Sequence, residues 1–228
     1  MNTSLVVFDI AGTTVSDSGN INQSFREAFA SEGLSVSEYD VNTVMGYRKI
    51  EAISIIVDKY SPGAMEKDPD LVNRMHNRFN RDMVLFYQKD RSLKPLPYAE
   101  ETFALLQQHG IKVALNTGFT REITDAILER LGWKNNPLIN AVVCSDEVPE
   151  GRPNAYMIQS IMKQLGITDM SSVVKVGDTE VDVLEGQHAG CGLVVAVTTG
   201  AYTREQLASY KPDFIIDSLR ELPALILH

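Results

Sequence analysis

Asp9 ends a short apolar run, residues 5–8, and a tight Gly12-Thr13 turn follows at once. A buried strand that stops in a carboxylate delivers it to the rim of a sheet, where it can attack an electrophile. The residue two places on is Ala11. An acid there could hand a proton to an oxygen leaving group, and a methyl group cannot. Three more apolar runs end in polar groups: 111–116 leads into Thr117-Gly118, 141–145 precedes a loop carrying Arg152, and 173–177 leads into Asp178, with Asp182 one helical turn later. Singly, each has an ordinary explanation as a turn residue, a helix cap or a surface cation. Together they place five polar groups from four segments on one rim.

The residue types assign roles. Asp9, Asp178 and Asp182 make an all-oxygen, anionic pocket of the kind that selects a hard cation, Mg²⁺ first among them. Without a cation, carboxylates this close repel one another. A cation would neutralise a phosphoryl group and let Asp9 approach phosphorus as nucleophile. The Thr117 hydroxyl and neighbouring backbone N–H groups suit phosphoryl oxygens. Arg152 offers a planar fork of donors to carboxylate and phosphoryl oxygens.

Such a rim needs strands that all end on the same side. After residue 15 the pattern is helical. Ile21, Phe25, Ala28 and Phe29 recur at helix spacing up to Gly33. Residues 49–60 carry Ile50, Ile53, Ile56, Val57 and Tyr60 on one side. Asp68-Pro69 caps a third helix running through Leu71, Met75, Phe79, Met83 and Phe86. No strand pattern interrupts 16–92, and the Pro-rich stretch 93–97 is a stiff return linker. Beyond it, strand runs at 111–116, 141–145, 173–177, 193–197 and 214–217 alternate with helices at 98–109, 120–132 and 153–165 and after Asp178. That alternation implies right-handed crossovers and a parallel sheet covered on both faces. The predicted fold is α/β: a Rossmann-like parallel sheet core built from 1–15 and 95–228, with an inserted all-helical cap at 16–94. Catalysis would need the cap to close on the core, with hinges near 14–20 and 90–97.

The formal charge is 21 − 30 = −9. It argues against nucleic acid or an anionic membrane surface as partner, since both need basic patches, and leaves a small anionic substrate open. Cys144 and Cys191 lack metal-ligand spacing and read as reduced structural thiols of a cytoplasmic protein. No signal peptide or apolar membrane span is evident.

The ordered set Asp9-Ile-Ala-Gly-Thr13, Asn116-Thr-Gly118, Arg152 and Gly177-Asp-Thr-Glu-Val-Asp182 resembles the haloacid dehalogenase superfamily over nearly the whole chain. That resemblance implies a Rossmann-like core, an aspartyl nucleophile and Mg²⁺. Most phosphatases of the superfamily carry Asp-x-Asp in the first motif and a lysine in the third, where this chain has Ala11 and Arg152. Both departures resemble the phosphonatase, or phosphonoacetaldehyde hydrolase, branch. So do Gly151-Arg-Pro153, Asp178-Thr-Glu-Val-Asp-Val-Leu-Glu-Gly186 and Met45-Gly-Tyr-Arg-Lys49. The resemblance implies that Lys49 is the Schiff-base lysine. It also implies that Ala11, Gly12, Thr13, Met45 and Gly118 join Thr117 and Arg152 around the substrate, and that Ala11 stands with Asp9, Asp178 and Asp182 at the metal. The branch is dimeric through its cap helices, and the apolar faces of 21–29 and 71–86 permit a homodimer. Two residues of the branch are replaced, a cysteine by Gly19 and a histidine by Ala52.

A carbon–phosphorus bond cannot break as an ester does, because its leaving group would be a carbanion. An amine condensed with a carbonyl beta to phosphorus gives an iminium that accepts those electrons. No oxygen leaving group then needs a proton, so Ala11 costs nothing. The substrate is expected to be a 2-oxoalkylphosphonate, phosphonoacetaldehyde or a close analogue. Lys49 starts a helix, and the helix dipole and Arg48 are expected to favour its free amine, with Glu51 opposing. Two rivals are a Mg²⁺-dependent phosphomonoester phosphatase and, from another class, a non-catalytic protein that binds a small phosphate or phosphonate. A phosphomutase also needs the acid that Ala11 lacks.

Overall fold

The computed structural model describes residues 2–17 and 19–227. Six strands, β1 (Leu5–Asp9), β2 (Lys112–Thr117), β3 (Ala141–Cys144), β4 (Val173–Gly177), β5 (Leu193–Val197) and β6 (Phe214–Ile216), form one parallel sheet in the order β3-β2-β1-β4-β5-β6. The expected α/β fold is therefore present. β1 lies at the centre and is buried along its whole length, as a strand covered on both faces must be. Val6 and Phe8 face one apolar cluster while Leu5 and Val7 face the other, the period-2 alternation of a pleated strand. The register sets Asp9 beside Asn116 and Phe8 beside Val176. Asp9, Thr117 and Asp178 consequently leave adjacent strands at the same edge.

Five helices fill the connection from β1 to β2: α1 (Asn20–Ala30), α2 (Glu38–Asn42), α3 (Lys49–Tyr60), α4 (Ala64–Lys67) and α5 (Leu71–Lys89). Among the described residues of this connection no strand element occurs. The apolar faces of α1 and α5 meet each other, with Phe25 and Phe79 rings 4.6 Å apart. Ile21, Phe25, Phe29, Met75, Phe79 and Met83 are buried inside the single chain, so these faces are spent internally. The two connections to this helical block run side by side. Val15 bridges Pro95, and Leu96 N–H donates to the Thr14 carbonyl at 2.9 Å. The first expected hinge includes Ser18, which lies outside the described residues.

The sheet is covered by α6 (Ala99–Gln108), α7 (Arg121–Leu131), α8 (Tyr156–Leu165), α9 (Glu180–Ala189), α10 (Arg204–Ser209) and α11 (Leu222–Ile226). Phe103 of α6 packs edge-on against Phe8 at 5.2 Å and also against Trp133. Tyr87 of α5 meets Phe119 in the loop after β2, so the apolar interior is continuous from the sheet into the inserted helices. Two expected helix starts move. Asp68 closes α4, so the third long helix begins at Leu71 rather than at Asp68-Pro69. The helix expected from Pro153 begins at Tyr156, because 149–155 form the loop that carries Arg152 inward. Among the described residues no helix is long and apolar enough to cross a membrane. Cys144 and Cys191 are free thiols.

Candidate active site

A cavity of about 290 Å³ opens between the C-terminal edge of the sheet and the inserted helices. Asp9, Ala11, Gly12, Met45, Lys49, Thr117, Gly118 and Asp178 all line it. The sequence had separated these residues by up to 169 positions, Asp9 to Asp178. Thr13, Arg152 and Asp182 are buried just behind that wall.

Asp178 owes its place to two neighbours. Thr13 Oγ1 donates to its Oδ1 at 2.9 Å, and Ala201 N–H donates to its Oδ2 at 2.9 Å. Asp182 stands at the third helical position of α9 in a capping box, where its carboxylate accepts from Thr179 N–H at 3.2 Å and Thr179 Oγ1 at 2.5 Å. One oxygen each of Asp9, Asp178 and Asp182 falls within 4.8 Å of the others.

Arg152 is fully buried, and every nitrogen of its guanidinium is spoken for. Nη1 reaches Asp9 at 2.7 Å and Asp182 at 2.9 Å, Nε reaches Glu185 at 3.1 Å, and Nη2 donates to the Asn116 carbonyl and Oδ1. Lys175 joins the same network from β4. Its Nζ meets Asn116 Oδ1 at 2.7 Å and both Asp182 and Glu185 at 3.0 Å. Four buried carboxylates (Asp9, Asp178, Asp182, Glu185) thus face three buried cations, Arg152 and Lys175 within the network and Lys49 across the cavity. Burial pushes Asp9 up to about 6 against the pull of Arg152, with the Asp182 charge adding to the rise. Burial also holds Asp178 well above the usual carboxylate range, and the Asp9 and Asp182 charges add to that. Burial likewise works against the charge of Asp182, yet Arg152 and Lys175 outweigh it and keep its pKa low. Asp182 Oδ1 is the oxygen that both Arg152 Nη1, at 2.9 Å, and Lys175 Nζ, at 3.0 Å, approach. A surplus of buried carboxylates over buried cations and an oxygen-only donor set, with one oxygen each of Asp9, Asp178 and Asp182 close together, fit a divalent hard cation.

Lys49 is the first residue of α3 and is only 4% exposed. Its Nζ lies 5.2 Å from the Phe119 ring centre and 5.6 Å from that of Phe25, so the amine is bedded on aromatic faces. Burial lowers its pKa from 10.5 to about 8, against the opposing charge of Asp9. The expected direction is right, but the cause is desolvation rather than the helix dipole or Arg48.

Several lining residues had no sequence signal. Thr199, Gly200 and Ala201 bring a fifth loop to the rim, with Thr199 Oγ1 donating to the Gly12 carbonyl at 2.7 Å. Asp17, Asn22, Glu38 and Asn42 line the far, helical end, and Asn22 Nδ2 ties to Asn42 Oδ1 at 2.7 Å. Lys175 and Glu185 did carry a signal: a lysine inside Val173-Val-Lys-Val176, and an acid three residues beyond Asp182 on the same helix face. Of the histidines, His76, His109 and His188 do not line the cavity.

The model of the haloacid dehalogenase-like hydrolases matches residues 6–196. A phosphonoacetaldehyde hydrolase from Parabacteroides distasonis is 32% identical over 97% of this chain and 94% of its own length. A bifunctional phosphonoacetaldehyde hydrolase/aminoethylphosphonate transaminase from Clostridioides difficile is 35% identical over 84% of this chain, which spans only 31% of that longer protein. A solved phosphonoacetaldehyde hydrolase-like protein from Oleispira antarctica has the same fold, with a TM-score of 0.83 at 23% identity, covering 100% of this chain and 92% of that one.

Proposed function

The chain belongs to the haloacid dehalogenase-like hydrolases, on the phosphonoacetaldehyde hydrolase-like side of that family, and we propose that it cleaves the carbon–phosphorus bond of a 2-oxoalkylphosphonate. One observation carries the proposal: a desolvated lysine amine with a lowered pKa shares one small cavity with a buried aspartate. Residues 16–94 act as the lid in this proposal, and 1–15 with 95–228 as the core.

The chemistry balances on the chain's own groups. The free Lys49 amine condenses with the substrate carbonyl, takes up one proton from solvent and releases water, leaving an iminium. An Asp9 oxygen attacks phosphorus from the opposite side. The C–P electron pair moves into the iminium and becomes an enamine, and Asp9 is left as an acyl phosphate. One water hydrolyses the acyl phosphate to inorganic phosphate. The enamine takes a proton on carbon, and a second water releases the carbonyl product and the Lys49 amine. Thr117 and the Gly118 backbone face the phosphoryl end. Arg152 acts through Asp9, aiming the carboxylate it grips. Asp9, Asp178, Asp182 and the Ala11 carbonyl would hold Mg²⁺, which would supply charge neutralisation at the phosphoryl oxygens. Incubation with phosphonoacetaldehyde and borohydride is expected to add one two-carbon adduct on Lys49, located by mass. Phosphate release from ordinary esters, with no adduct and no dependence on Lys49, would instead favour the phosphatase.

Mg²⁺ dependence has a definite sign. Asp9 binds a proton up to about pH 6 in the folded state but only up to 3.8 when unfolded. The folded state therefore binds more protons in that window, and metal-free stability falls as pH rises through it. Adding Mg²⁺ is expected to raise Tm by a few degrees at pH 7.5 and hardly at all at pH 5, where protons occupy the site. A Tm indifferent to Mg²⁺ at both pH values counts against the cation.

The far end of the cavity bears on substrate choice. Asp17 and Glu38 stand there with Asn22 and Asn42. A hydroxyl on the carbonyl-side carbon suits these groups, whereas a carboxylate meets like charge. A carboxylated 2-oxoalkylphosphonate is expected to show kcat/KM about tenfold or more below the hydroxymethyl analogue, given that like-charge contacts cost upwards of 1 kcal/mol. Equal kcat/KM values would remove these residues from substrate selection.

A further inference from the structure

Glu180 sits between Asp178 and Asp182 but turns away from both, toward the inserted helices. Three tyrosine hydroxyls converge on its carboxylate. Tyr47 donates to Oε1 at 2.9 Å, Tyr210 donates to Oε2 at 2.6 Å, and Tyr202 lies 3.4 Å from Oε2. Tyr202 is also 3.3 Å from the Thr43 carbonyl, and its ring packs edge-on against Tyr210. Tyr47 and Thr43 belong to the inserted segment, and Tyr202 and Tyr210 to the core. Burial and the Glu180 charge push the Tyr47 hydroxyl up to about 12, so it remains a donor at any ordinary pH.

Tyr47 precedes Lys49 by two residues. The turn between α2 and α3 is closely fitted to the core on both sides. Gly46 has φ +84°, and a Cβ there would collide with Thr179 Oγ1 and Val181. A Cβ on Gly118 would collide with the carbonyls of Gly46 and Tyr47. On the other flank, Arg48 Nη1 donates to the Pro149 carbonyl at 3.1 Å and Gly151 N–H reaches Glu51 at 3.4 Å. The second flank is partly exposed, and its Arg48–Glu51 pair is 3.9 Å apart, which makes it the weaker hold. A carboxylate receiving several hydroxyl donors, part-buried, is the stronger one.

We infer that Glu180 is a positioning residue: gripping Tyr47 while braced by Tyr202 and Tyr210, it fixes the 45–48 turn so that the Lys49 amine meets Asp9 across the cavity. The inference rests on the role proposed for Lys49. It also gives the Asp178-Thr-Glu-Val-Asp182 segment a division of labour, with two acids turned to the rim and the one between them turned to the lid.

The test uses the full chain with Tyr47→Phe, Glu180→Gln and the double variant. Three readouts are taken: kcat and KM with phosphonoacetaldehyde, borohydride trapping, and hydrogen–deuterium exchange of the peptide 43–52. In each single variant kcat is expected to fall about 10- to 100-fold, the scale of a misplaced reacting group. KM is expected to change less than threefold, trapping to slow in step with kcat, and exchange over 43–52 to rise. The double variant is expected to lose less than the product of the two single effects, because both weaken the same Tyr47–Glu180 contact. Tyr47→Phe removes one oxygen atom and serves as the variant least exposed to misfolding. Unchanged exchange over 43–52, or a fully additive double variant, overturns the positioning role. A wild-type protein that turns over the substrate yet never traps overturns the Lys49 proposal instead, so the two failures read differently.

Discussion

Lys49→Met is expected to abolish turnover and borohydride trapping, and at pH 7 to make the protein more stable by about 2–3 kcal/mol. The loss follows from the leaving group: without an iminium the C–P electrons have nowhere to go, and among the described residues no second lysine lines the cavity. The gain follows from linkage. The amine titrates near 8 in the folded protein against 10.5 for the free side chain, and about 2.5 pK units correspond to about 3 kcal/mol. Below pH 8 the lysine is charged in both states, and the folded protein bears the whole desolvation penalty. Between pH 8 and 10.5 the unfolded chain holds the proton that the folded protein has given up, so stability rises with pH as the penalty recedes. The advantage of methionine is therefore largest below pH 8 and disappears above 10.5. Methionine also packs on Phe25 and Phe119, where the lysine stem now lies. At about 2–4 °C per kcal/mol for a chain of this size, Tm is expected to rise by about 5–10 °C at pH 7. Lys49→Arg is the matched control, inactive but without the gain. A Lys49→Met protein that loses activity and stability together would mean the lysine is held for structure. One that keeps full activity would remove the amine from the mechanism.

The sheet and the rim were legible because they rest on local rules. Each apolar run that stops in Asp9, Thr117 or Asp178 announces both a strand and its end, and parallel topology does the rest. The helical insertion was legible for α1, α3 and α5, which show three or more turns of apolar periodicity. It was not legible for α2 and α4, whose four or five residues are too few to show a period. The charge network was missed for a different reason. A lysine among the valines of β4 marks a buried cation, but the sequence does not say which carboxylates it meets, and only the third dimension reveals Asp182 and Glu185. The tyrosines around Glu180 come from segments 163 positions apart, Tyr47 to Tyr210, and no local pattern ties them. Most telling is Lys49. Its helix-start position pointed to an electrostatic cause for a lowered pKa, yet the governing fact is burial between two aromatic rings contributed by α1 and the loop after β2.

The second large effect is expected at Lys175, far from any lid. Lys175→Met is expected to destabilise the protein by about 3–5 kcal/mol, the usual cost of stripping one partner from a buried ion pair. With about 2–4 °C lost per kcal/mol, Tm falls by about 6–20 °C, read by calorimetry. The size comes from what is left behind. Lys175 Nζ serves Asn116, Asp182 and Glu185 at 2.7–3.0 Å with no exposure to water. Its removal leaves Asp182 and Glu185 with Arg152 as their one remaining cationic partner. Arg152 cannot take up the slack, since each of its nitrogens already has a partner. The cheapest relief is a rotation of Arg152 away from Asp9, which would cost activity as well. The effect separates charge from packing in one further step. Glu185→Gln removes the acid that lies 3.0 Å from Lys175, so the double variant Lys175→Met/Glu185→Gln restores the balance of buried charge and is expected to recover a large part of the lost stability, with a coupling of about 1–3 kcal/mol. If the double variant is instead as unstable as the two single losses added together, Lys175 is held by packing of its stem between β1 and α9, and the buried charges are not one network.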